Sequence, residues 1–198
     1  MIVKYPNPSI KNVKSTRPKT YGMLFETALN ISNDYYLCHN KAVIYKKPTP
    51  VQIVKVDYPS RNKAKIVEAY FKIPSTTDYN GIYRGKYIDY EAKETNNLSF
   101  SFTHIFEHQI DHLKKVDQQG GIAFVIIFYK KINKVYVIDI KQFINVYEES
   151  KKGGVKAIHH TLAEEVGIEA IQGYTPPIDY LSAIDKLYFL DKNWLLYI

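Results

Sequence analysis

A single cysteine, Cys38, occurs in the 198 residues, so an intramolecular disulfide and a thiolate zinc site are both excluded. A reducing, intracellular setting follows as the expectation. No stretch approaches the roughly 18 consecutive apolar residues of a membrane span. Residues 1–20 also lack the apolar core of a signal peptide, and the chain reads as soluble and cytoplasmic. There is no GxxxxGKS/T phosphate loop, and Cys38 has no base beside it, so neither an ATPase nor a thiol enzyme is supported. Internal repeats and low-complexity linkers are missing too. Acidic charge is in short supply: 20 Asp and Glu face 27 Lys and Arg, leaving a net charge of +7 and a pI near 9.2. That balance points to a polyanionic partner. What is plentiful is apolar material, 45% of residues with 14% aromatic, enough for a sizeable core and too much for intrinsic disorder.

The positive charge is concentrated in two places. Residues 1–20 carry Lys4, Lys11, Lys14, Arg17 and Lys19, no acid, and three prolines, which reads as a flexible basic arm. Between Tyr45 and Phe71 the bases are Lys46, Lys47, Lys55, Arg61, Lys63 and Lys65, against Asp57 and Glu68 alone. Tyr45, Tyr58 and Tyr70 are interleaved with them, a combination suited to stacking on bases as well as to phosphate contact. The same residues fit an edge hairpin kept soluble by lysine.

Periodicity predicts a helix over 22–37 with Asn33 and Asp34 on its outer side, and strands over 42–45, 51–56, 65–71 and 86–93. A helix over 103–118 follows, and then Gly121 to Phe128, apolar without alternation, as expected of a strand covered on both faces. A strand over 134–140 and helices over 142–151, 155–166 and 180–188 complete a mixed α/β sandwich. One domain spans 21–198 after the arm at 1–20, with a projecting basic hairpin at about 45–73.

Chemistry concentrates in Pro74-Ser75-Thr76-Thr77-Asp78-Tyr79-Asn80-Gly81 and Tyr87-Ile88-Asp89-Tyr90-Glu91-Ala92-Lys93. On a strand, Glu91 and Lys93 project to one side and Ala92 to the other. A turn around Asn80-Gly81 to Gly85 is expected to bring Asp78 beside them. Two carboxylates converging from adjacent strands make a hard-oxygen site for Mg²⁺, and the lysine can orient a water and offset charge on a pentavalent phosphate. Asp89 shares that face and could be a ligand, a partner of a ligand, or a surface charge. Gln109 and Thr76 could add oxygen donors. By itself Glu-x-Lys arises by chance in most chains of this composition. A rival pattern, His104, His108 and His112 at four-residue spacing, resembles zinc-binding spacing. The outer pair lies about 12 Å apart along a helix axis, so one tetrahedral ion cannot easily take all three; His104 with His108, or His108 with His112, could serve as a pair, and the expectation is of interfacial or DNA-facing histidines beside the acidic site.

Longer motifs are more specific. Gly22-Met23-x-x-x-Glu26, Asn33-x-Tyr35-Tyr36, Lys46-Lys47-Pro48-Thr49-Pro50, Gln52 to Pro59, Glu68 to Phe71, Pro74 to Gly81, Tyr87 to Thr95, His108-Gln109-Ile110-x-His112, Gly173-Tyr174 and Asp179-Tyr180-Leu181 together resemble the RecU family of bacterial Holliday-junction resolvases. The likeness covers nearly everything from Gly22 to Phe189. It implies a restriction-endonuclease-like mixed sheet flanked by helices, with a protruding basic β-stalk, acting as a homodimer on four-way junction DNA. It further implies Thr76, Asp78, Glu91 and Gln109 as Mg²⁺ ligands, with Mn²⁺ as a substitute, and Asp78, Glu91 and Lys93 as the catalytic set, Lys93 stabilising the transition state. Lys46 at the stalk base and Arg61 at its tip, with Lys47, Lys55 and Lys63, become the expected DNA contacts. Paired symmetric nicks with 5′-phosphate ends would result, and modulation of a recombinase and cooperation with a branch-migration motor are implied as well. A DNA-binding regulator that has lost cleavage is the competing expectation, and the intact Asp78, Glu91 and Lys93 weigh against it.

Overall fold

The computed structural model describes residues 24–60, 63–72 and 76–189. The basic arm at 1–20 and Arg61 lie outside the described residues. Helix α1 (Phe25–Cys38) leads into β1 (Val43–Lys46). Next come β2 (Val51–Asp57) and β3 (Lys65–Phe71), then β4 (Tyr79–Tyr83), β5 (Lys86–Thr95) and β6 (Ser99–Ser101). A 3₁₀ turn at Phe102–His104 precedes α2 (Glu107–Gln118) and β7 (Ile122–Tyr129). The remaining main elements are β8 (Lys134–Asp139), α3 (Ile140–Lys151), β9 (Ala157–His159), α4 (His160–Val166), β10 (Ile168–Glu169) and α5 (Tyr180–Tyr188).

Six strands form one mixed sheet in the order β1-β4-β5-β7-β8-β10. Only β5 and β7 run parallel in it; the other pairs are antiparallel. Strand β7 is the hub, as its unbroken apolar run predicts. Ile122, Phe124 and Ile126 pack with α1 and α5 on one face, while Ala123, Val125 and Ile127 pack with α2, α3 and α4 on the other. The fold is therefore a mixed sheet flanked by helices on both faces, as expected.

The hairpin of β2 and β3 is a separate two-stranded sheet. Every side chain of β3, and all of β2 except Val56, is exposed. It projects as the expected stalk, and exposed Ile53, Val54, Ile66, Val67 and Phe71 leave it little burial of its own. Isolated two-stranded hairpins are marginal in water, so its shape depends on its anchored roots.

Four expectations are corrected. Asn33 does not face solvent: it is buried and closes a ring with Tyr90 and Tyr180, accepting the Tyr180 hydroxyl and donating to Tyr90 at 3.4 Å. A polar residue on the inner side of α1 is tolerated because these partners satisfy it. The turn expected around Asn80-Gly81 to Gly85 is confined to its far end: Asn80-Gly81 lies inside β4, and the reversal falls at Arg84-Gly85, both with positive φ, the geometry that two-residue hairpin loops favour. Gly81 is needed for a different reason, since a Cβ there would collide with the Val43 carbonyl of β1. The helix expected from residue 103 is broken, because Phe102 turns into the core beside Phe143 and Tyr147. The helix expected over 155–166 opens instead as β9, whose edge pairs with β6. As a test of the Asn33 ring, Tyr180→Phe should cost about 1–3 kcal/mol of stability, the usual penalty for leaving a buried acceptor unpaired. Urea unfolding monitored by circular dichroism measures it.

Candidate metal and phosphate site

The antiparallel register of β4 against β5 places Tyr79 opposite Tyr90 and Asn80 opposite Asp89, so Asp78 falls at the end of β4 level with Glu91. There the Asp78 carboxylate accepts the Ala92 amide at 3.2 Å. Alternation along β5 sends Asp89, Glu91 and Lys93 to the face covered by α2, as the sequence predicts. Thr76, Asp78, Glu91, Lys93 and Gln109 line one cleft of about 280 Å³, together with residues 46–50 at the stalk root. The expected catalytic and ligand residues are thus brought together from one loop, one strand and one helix.

Glu91 is 0% exposed. Its Oε1 accepts Lys93 Nζ and Gln109 Nε2, both at 2.7 Å, while Oε2 is buried with no hydrogen-bond partner. Burial first and the Asp78 carboxylate second push the Glu91 carboxyl up, Lys93 pulls it down, and the balance leaves it at about 7. An orphaned carboxylate oxygen in a cleft shared with a second acid is the environment a hard cation resolves. Among the described residues no three His, Cys, Asp or Glu side chains cluster to hold a metal by themselves, so a cation here would draw on the neutral oxygens of Thr76 and Gln109 as well. Gln109 at present points its amide nitrogen at Glu91, and its Oε1 accepts the Phe106 amide at 3.1 Å, capping α2. Ligation through Oε1 requires that amide to rotate.

Asp89 behaves differently from Glu91, although both are 0% exposed. Its Oδ1 accepts Thr77 Oγ1. Its Oδ2 meets Lys47 Nζ at 2.8 Å, Tyr87 Oη at 2.8 Å and His112 Nε2 at 3.0 Å. Both oxygens are therefore spent, which assigns Asp89 to holding the site together. Lys47, expected on DNA, is turned inward by this pair. Lys46 pairs with Glu26 of α1 at 2.6 Å, while Lys55 and Lys63 stand exposed on the stalk. The histidine row is dispersed: His104 ends the 3₁₀ turn, His108 stacks on Phe106 and His112 serves Asp89. His112 was expected beside the acidic site but not as a partner of Asp89, and the partners Thr77 and Tyr87 were missed by sequence reading. Tyr87 and Asp89, two apart on one strand, were the only local signal for any of them.

A buried Glu91 beside Asp78 and Lys93, on a mixed sheet with helices on both faces and a basic projection at its rim, defines an α/β protein with an acid-and-lysine cleft beside a basic hairpin. The chain belongs to the RecU family: the profile described as Recombination protein U matches residues 20–186. It is 48% identical to the Holliday junction resolvase RecU of Geobacillus sp. (strain WCH70), over 96% of this chain and 99% of the relative. Against the protein of the same name from Pediococcus pentosaceus the identity is also 48%, over 93% and 94%. Among solved structures, the Holliday junction resolvase Hjc of Archaeoglobus fulgidus aligns with 71% of this chain and 94% of its own, at a TM-score of 0.42 and 10% identity.

The raised Glu91 carboxyl sets a sign for pH effects. Without a cation, the folded state holds this proton more tightly than the unfolded chain, whose carboxyl titrates near 4.5. The resulting stability is complete below that value and is lost as pH rises through about 7. A cation must displace the proton. Mg²⁺ or Mn²⁺ affinity should therefore fall by up to about tenfold per pH unit below 7, with proton release detected by isothermal titration calorimetry in buffers of different ionisation enthalpy. Glu91→Gln should abolish the proton release.

Proposed function

We propose that this chain is a divalent-cation-dependent endonuclease that resolves four-way DNA junctions. The observation that carries the reading is the buried, half-satisfied Glu91 beside Asp78 and Lys93, in a cleft whose wall is the root of a basic stalk. Family membership supports it, as its relatives carry the name Holliday junction resolvase.

Thr76, Asp78, Glu91 and Gln109 would hold the cation, Mg²⁺ or Mn²⁺. When bound, it supplies Lewis-acid stabilisation of the charge that builds on the scissile phosphate. Lys93 keeps an ammonium within 2.7 Å of Glu91, where it can orient an attacking water and offset the same charge. Outside the cleft, Lys55 and Lys63 with exposed Tyr58 and Tyr70 give the stalk the cations and ring faces that engage phosphates and unstacked bases. In-line attack expels the 3′-oxygen and leaves a 5′-phosphate. A homodimer repeats this on opposed strands, its twofold axis matching that of the junction.

Cleavage of a labelled four-way junction beside linear duplex of the same arm sequence, in Mg²⁺ and in EDTA, tests the reading. Paired nicks confined to the junction and dependent on metal are expected. Asp78→Asn and Glu91→Gln should bind the junction yet fail to cut it, and Lys93→Ala should cut about 10²- to 10³-fold more slowly. Tight junction binding by the wild type with no cleavage in either metal would replace the reading with that of a binding protein.

A further inference from the structure

Asp89 lies outside the ligand set, yet it is the most heavily bonded side chain in the site. Its partners are not scattered. Lys47 is the last residue before Pro48-Thr49-Pro50, the segment through which the chain enters the stalk. Thr77 lies where the chain returns from the stalk, immediately before Asp78. Both roots of the stalk are thus tied to the same carboxylate, Lys47 Nζ also donating to Thr77 Oγ1 at 2.8 Å. A backbone bond repeats the connection, since the Lys47 amide donates to the Asp78 carbonyl at 2.8 Å. His112 adds α2, one turn beyond Gln109.

We propose that Asp89 is a positioning residue that clamps the two roots of the stalk together and thereby sets Asp78 at the cation site. The inference rests on the nuclease reading above for its activity readout, but the clamp itself is a property of the chain without DNA. The geometry dictates the role. Asp89 cannot ligate, because Thr77 takes Oδ1 and three donors crowd Oδ2. Strand β5 is fixed in the core by the parallel pairing with β7, whereas the stalk has no packing of its own to hold its base. Without the clamp, the segment bearing Thr76, Thr77 and Asp78 would be held to β5 only by the Asp78–Ala92 bond and by the strand pairing from residue 79 onward. A load on the stalk, such as a junction arm pressing it aside, is then passed through Lys47 and Thr77 to Asp78.

Thr77→Val keeps the side-chain shape and removes the bond to Asp89; Asp89→Asn keeps shape and removes the charge that holds Lys47. Supporting partners of this kind typically contribute about 10- to 100-fold in metal affinity or activity. Three readouts on the full chain separate the role from general destabilisation. Mn²⁺ binding to the DNA-free protein, followed by electron paramagnetic resonance, should weaken about 10-fold or more in Thr77→Val. Hydrogen exchange of the Lys47 amide, which depends on its bond to Asp78, should accelerate while exchange in β7 is unchanged. At saturating junction, turnover should fall about 10- to 100-fold with the junction Kd within about threefold of wild type, and the double variant should lose no more than the worse single variant.

Wild-type Mn²⁺ affinity and Lys47 exchange in Thr77→Val would overturn the clamp, even if Asp89→Asn fails to fold. A folded Asp89→Asn as deficient in Mn²⁺ binding as Asp78→Asn, with Thr77→Val unaffected, would make Asp89 a ligand and overturn it as well. Should the wild type not cut junctions, the nuclease reading fails, and Mn²⁺ affinity and amide exchange still decide the clamp.

Discussion

Two carboxylates stand two residues apart on one face of a strand at the centre of the sheet, and neither has access to water. Most of what is distinctive here answers the cost of that burial. An ionised carboxylate removed from water must find donors, find a cation, or take up a proton. Asp89 takes the first course and recruits Lys47, Thr77, Tyr87 and His112 from four separate segments. Glu91 has two donors on one oxygen and none on the other, and its carboxyl rises to about 7. Two carboxylates on the same face therefore divide into one fully bonded and one with a free oxygen, according to how many donors reach each.

The stalk belongs to this arrangement. It buries almost nothing itself, and its apolar side chains remain open to a partner. What positions it is the pair of roots gathered at Asp89, a charged interaction taking the place of a packed one. Removing one partner from a buried ion pair costs about 3–5 kcal/mol, a penalty that falls at the root and not along the exposed projection. Basic charge follows the same division. Lys47 is consumed inside by Asp89 and Lys46 is tied to Glu26, whereas Lys55 and Lys63 on the stalk stand exposed.

Much of the fold was legible because periodicity reports burial directly. The doubly covered β7, the exposed β2 and β3 pair, and α5 follow from runs and alternations that only one environment satisfies. The errors have a common origin in side chains whose partners are distant in sequence. Asn33 is polar and was placed in solvent, but Tyr180, 147 residues away, makes its burial affordable. Asn80-Gly81 carries a strong turn signal, yet the glycine is there to let β4 pass the Val43 carbonyl of β1. Val155 to Val166 has a helical pattern whose first part is taken over by pairing with β6.

The site divides in the same way. The sequence alone determined that Glu91 and Lys93 share a face and that Ala92 does not, because a strand's twofold alternation is a local property of the backbone. It also determined, through motifs long enough to be specific, that Asp78 and Gln109 belong with them. Only the tertiary structure decided which acid keeps a free oxygen. That choice depends on where Lys47, Thr77 and His112 come to rest relative to β5, and no local rule of spacing carries the position of residues 42, 12 and 23 places away.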